Sequence, residues 1–134
     1  MKTTLTRIDT PYVFEFENER GIKCLMDAAP GIGGTDRGFR PMELVGGAIA
    51  GCVAIDVLSI LKKQKFDPYL FKITIKSKRK EGIPSPFESI VLLIEVDASI
   101  DKLKLDKNVK LVIEKYCSVV ASLDKNIVIG HEII

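Results

Sequence analysis

Two rhythms of apolar residues run along this chain, and their succession predicts strands, a helix, strands, a second helix and a last strand. Leu5 to Ile8 carries a weak strand pattern, after which Tyr12, Phe14 and Phe16 alternate with Val13, Glu15 and Glu17 at the two-residue period of a half-buried strand. Asn18, Glu19, Arg20 and Gly21 make a hairpin turn, and Ile22, Cys24 and Met26 share one face of a returning strand. That register predicts Cys24 as a small buried hydrophobe. From Ala29 to Arg40 the segment APGIGGTDRGFR is a glycine-rich loop, closed by Pro41. Pro41 suits a first helical position, where a missing N–H costs nothing, and it holds Arg40 extended.

Between Pro41 and Lys63 the period lengthens. The stretch PMELVGGAIAGCVAIDVLSILKK has the longest apolar run in the chain, and its apolar residues surround the helix axis instead of forming one stripe. This predicts a helix buried on nearly all sides. Gly47 and Gly51 are spaced as in membrane helix pairs, but the uncharged run between Glu43 and Asp56 is shorter than the roughly twenty residues needed to span. The same glycines allow close approach of a second helix, including one from another subunit.

Downstream, Phe71, Ile73 and Ile75 alternate with Lys72, Thr74 and Lys76 on a strand with one wet face. A loop with Gly82, Pro84 and Pro86 leads to Phe87–Val96, whose centre is apolar on both faces, predicting a central strand in a hairpin with its predecessor. Asp106 is the expected cap of a second helix, with Val109, Val112, Ile113, Tyr116, Cys117 and Val120 on one stripe and Lys107, Lys110, Glu114 and Lys115 in solvent. Residues 126–134 form a short closing strand.

Composition narrows the chemistry. A length of 134 residues fits one domain, residues 1–134, and a net charge of +2 with 46% hydrophobic residues gives no footprint for nucleic acid or membrane. The opening MKTTLTRIDT lacks the apolar core of a secretory signal, so the expected location is a reducing cytoplasm with the three cysteines as thiols. One histidine, no CxxC and no acidic cluster of ligand spacing leave neither a metal nor a bound cofactor indicated. The glycines of the loop do not follow the dinucleotide-binding spacing.

What remains is Cys52 and Cys117, each predicted to face the interior, and the loop arginines. A thiol of ordinary pKa, about 8.5, is only a few per cent thiolate at neutral pH, and burial lowers that further. Cys52 lies about three turns beyond Pro41, too far for the helix dipole to help. Activation requires a cation, for which Arg37 and Arg40 are candidates, with Glu43 able to hold a guanidinium. On residue chemistry alone, both thiols read more readily as core packing than as reactive groups.

The combination GGTDRGFRPMELVGGAIAGCVAIDVLSIL, followed by EKYCSVVASL, resembles the OsmC/Ohr family of thiol-dependent peroxidases, and the order of elements agrees over most of the chain. The resemblance is to the OsmC-like branch with PxEL before the cysteine. It implies an α+β fold with antiparallel sheets around a long buried central helix, in an intertwined homodimer whose sites draw on both subunits. It further implies Cys52 as the peroxidatic and Cys117 as the resolving cysteine, organic hydroperoxides as substrates, and an external dithiol such as a lipoyl group as reductant.

The chain departs from the family pattern at three places. Met42 stands where the classical members carry the glutamate after proline, so the acid is Glu43, about 100° round the helix. Ser118 replaces a proline that often follows the second cysteine. The arginine has no positional match; Arg37, next to Gly38, is the favoured candidate over Arg40. A second reading from another class is a non-enzymatic dimeric module that binds a small apolar ligand or partner and keeps the cysteines for packing.

Overall fold

A computed structural model describes residues 1–97 and 100–134. The chain separates into two compact units, Met1–Val45 and Gly46–Ile134.

The first unit is a meander of β1 (Thr3–Asp9), β2 (Val13–Asn18) and β3 (Lys23–Met26), paired antiparallel in sequence order. Asn18 sets the second turn: its side-chain oxygen accepts from the N–H groups of Arg20 and Ile22, so a short side chain closes the hairpin. Only Val13 and Asp27 are fully buried here. The predicted glycine-rich loop contains one 3-10 turn, Pro30–Ile32, and returns at Phe39 to bridge Met26 of β3. Gly34 and Gly38 are required there, since a Cβ on Gly34 would collide with the Ala28 carbonyl and one on Gly38 would lie 2.5 Å from the Leu25 carbonyl carbon.

Helix α1 (Pro41–Lys63) starts and ends where the apolar run predicts. Its burial differs from the expectation. Gly46, Ile49, Val53, Val57 and Leu61 form one buried stripe at helical spacing, while Gly47, Ala48, Gly51 and Ile55 lie exposed on another, Ile55 by 67%. All-round apolarity therefore marks two faces, of which this chain covers one. By length and composition α1 would also pass as a membrane span, with mean hydropathy 2.2 over 18 residues, 28% of them buried.

In the second unit β4 (Phe71–Arg79) and β5 (Phe87–Val96) form the expected hairpin, and β5 is central in the order β4-β5-β6. β6 (Val128–Ile133) runs parallel to β5, so the expectation of antiparallel sheets holds for the first sheet and the hairpin but not for this edge. The intervening helical segment makes a crossover long enough to bring the chain back in the same direction. Phe87, Ile90, Leu92 and Ile94 of β5 are buried with Leu105, Val109 and Val112 from that crossover.

The crossover itself corrects two expectations. Asp101, not Asp106, caps α2 (Lys102–Leu111), accepting from the Leu103 N–H at 2.9 Å, because the helix begins a turn earlier than the apolar stripe suggests. Nor is the stripe one helix: after Leu111 the chain makes a π turn, Val112–Tyr116, becomes extended at Cys117, and resumes as α3 (Ser118–Ala121). Tyr116 is consequently exposed. The lone His131 bonds Asp106 through Nε2 at 2.8 Å.

Candidate thiol and arginine sites

The second unit brings Cys52 and Cys117 together. Cys52 occupies α1 next to the buried stripe and is half-buried, while Cys117 is 2% exposed. The π turn places the second thiol: the Cys117 N–H bonds back to the Val112 carbonyl at 2.9 Å, and its Sγ accepts from the Val120 N–H at 3.4 Å as the cap of α3. Burial, and then a side-chain hydrogen bond with Cys52, push the Cys117 thiol up to about 11. A protonated, dry Cys117 thus stands against a Cys52 that faces partly outward, so that a reagent from solvent meets Cys52 first.

The first unit holds the charged candidates. Arg37 does not pair with Glu43. Its Nη1 donates to Asp9 Oδ2 at 2.6 Å, and that guanidinium, with the Thr10 N–H, holds the Asp9 carboxyl below its usual value. Glu43 serves Arg40 instead: one oxygen accepts the Arg40 backbone N–H at 2.9 Å, the other lies 3.4 Å from its Nη1, and Arg40 Nη2 donates to Asp36 at 2.7 Å. Glu43 at the third helical position reaching back to the residue before the helix is half of a capping box, so its first task is to start α1.

Cys24 is not core filling. It is half-buried and lines a cleft of about 390 Å³ with Leu25, Asp36, Arg37, Gly38 and Phe39. Among the described residues no group of three or more His, Cys, Asp or Glu side chains is gathered as metal ligands would be.

Sequence reasoning missed Asp27. It is buried to 2% exposure at the end of β3, and its carboxylate accepts from Ala28 N–H (2.7 Å), Thr35 N–H (3.0 Å), the Thr35 hydroxyl (2.7 Å) and Arg37 N–H (3.2 Å). The Thr35 hydroxyl first, then these backbone N–H groups, lower its pKa to about 2 against the opposing effect of burial. An aspartate directly after a strand and before a glycine-rich loop is the one local signal of that role.

Residues 34–132 match the family described as OsmC-like protein. Protein YhfA of Escherichia coli (strain K12) is 37% identical over 116 residues, 86% of this chain and 84% of that protein. Among solved structures, a hypothetical protein from Aquifex aeolicus VF5 has 29% identity and a TM-score of 0.79, covering 99% of this chain and 95% of that one. The organic hydroperoxide resistance protein OhrB of Bacillus subtilis has a TM-score of 0.71 over 99% of this chain and 96% of its own; at 17% identity the likeness is one of fold.

Proposed function

The chain belongs to the OsmC-like protein family, and on that premise we propose that it is a thiol-dependent peroxidase acting on organic hydroperoxides. The observation that carries the proposal is the contact between a half-buried Cys52 and a buried Cys117. The Cys52 thiolate attacks the outer oxygen of ROOH; the O–O bond breaks, the alkoxide leaves as ROH with a proton from solvent, and Cys52 becomes a sulfenic acid. Cys117 sulfur then attacks that of Cys52, its proton leaving with the hydroxide as water, and a disulfide forms. An external dithiol returns both thiols and is itself oxidised to a disulfide. Arg37 is the proposed cation that favours the Cys52 thiolate, with Glu43 ordering the same loop from the helix start.

The uncovered stripe of α1 supports a homodimer. A Cβ built on Gly47 or Gly51 would meet nothing within 4 Å, so a second helix can approach that face closely. Sedimentation at micromolar concentration should give the mass of two chains, and Gly51→Glu should return it to one.

The direct test is mass spectrometry after one equivalent of cumene hydroperoxide. A rapid Cys52–Cys117 disulfide is expected, and turnover should vanish in Cys52→Ser. Thiols that remain unmodified would remove the peroxidase reading and favour a ligand-binding module.

A further inference from the structure

Asp27 is the fully buried ionisable side chain of the first unit, and all four of its hydrogen-bond donors belong to the loop running from Ala28 to Arg37. A buried carboxylate is tolerated only when its oxygens are satisfied, so folding the loop and burying Asp27 require each other. The bonds lie at both ends of the loop: Ala28 immediately after the strand, Thr35 and Arg37 immediately before it rejoins the sheet. Beyond Arg37 the backbone is held as well, by Phe39 N–H to Leu25 O at 2.9 Å and Asp27 N–H to Phe39 O at 3.1 Å. Gly38, between them, has no room for a side chain.

Arg37 therefore combines a backbone gripped on both sides with a half-exposed side chain that lines the 390 Å³ cleft and whose Nη1 is held by Asp9. A cation that must act on a ligand or thiol needs that combination of fixed origin and accessible head. We propose that Asp27 is the positioning residue of Arg37, setting the backbone from which the guanidinium reaches and acting on the thiol chemistry only through it. This rests on the reading of Arg37 as the activating cation.

The test compares Asp27→Asn, Arg37→Ala and the double variant in the full chain. Asparagine keeps size and burial but turns one acceptor oxygen into a donor facing the N–H groups it should receive. Hydrogen exchange at the Thr35 and Arg37 amides should quicken by about tenfold or more in Asp27→Asn, the loss of roughly one hydrogen bond each. The pH midpoint of Cys52 alkylation should move toward that of Arg37→Ala, with no further movement in the double variant. A residue needed only for stability would lower the melting temperature and leave that midpoint unmoved. Should Asp27→Asn fold poorly, Thr35→Val removes one donor while the carboxylate stays, and the same shifts are expected at smaller size. Unchanged amide exchange, or a midpoint shift by Asp27→Asn that persists when Arg37 is already alanine, overturns the proposal. Quickened exchange with an unshifted midpoint in Arg37→Ala upholds Asp27 as the anchor of Arg37 and instead removes Arg37 from thiol activation.

Discussion

The two units are held by different physics. The second buries a run of aliphatic side chains from β5, α1 and α2, and its thiols sit in that dry packing. The first buries only Val13 and Asp27, leaves Leu5, Ile22 and Phe39 largely exposed, and takes its order from a satisfied carboxylate, tight glycine contacts and ion pairs. Burial is non-directional and tolerant, whereas hydrogen bonds specify where a backbone goes. Dry packing in the second unit keeps the Cys117 thiol protonated, and the hydrogen-bonded loop of the first fixes where the Arg37 backbone lies.

The largest effect that separates the units should come from Ile94→Ala in β5, with a loss of about 2–5 kcal/mol in urea unfolding. Leu5→Ala in β1, where the side chain is 52% exposed, should cost much less. If both cost the same, the first sheet is covered by a partner surface and its bareness belongs to the single chain.

Next in size is the reactivity of Cys117. With its thiol pushed up to about 11, roughly one molecule in a thousand carries the thiolate at pH 8, so iodoacetamide should leave it nearly unlabelled until the solution approaches pH 11. Peptide mapping by mass spectrometry checks this. Substantial labelling at pH 8 would mean that Cys117 is not held dry.

Acid should open the first unit's loop before the second unit's core. Asp27 has a folded-state pKa lowered from 3.8 to about 2, so its stabilisation is complete above pH 4 and is lost as pH falls through about 2. Amide signals of Thr35 and Arg37 should therefore fade in that window ahead of those in β5, as followed by NMR. The smallest effect is expected for Asp9→Asn. The exposed pair with Arg37 should contribute little to thermal stability, and added salt should shrink that contribution further.

Much of the secondary structure was legible in the chain, because strand and helix periods are carried by near neighbours. Pro41 marked the start of α1, the alternation from Phe71 marked β4, and the apolar IVLLI marked a central β5. The second helix was misread for a related reason. Val109 to Val120 keep helical spacing whether or not the helix is continuous, and a π turn shifts the backbone without disturbing that pattern. Glu43 was legible as an acid beside a basic loop, but its choice of Arg40 over Arg37 depends on where the loop turns, at Asp36 with φ 55°.

By itself the sequence determined most of the elements, the family and the identity of the two thiols worth testing, since local period and residue type are written residue by residue. Only the tertiary structure decided that Cys117 meets Cys52 at a break in a helix, that one apolar face of α1 is left bare, and that Asp27 anchors the arginine loop. Those depend on contacts between residues distant in the chain. Spacing does not encode such contacts; the burial that makes an unpaired carboxylate or a dry thiol costly arises only when the chain has closed around them.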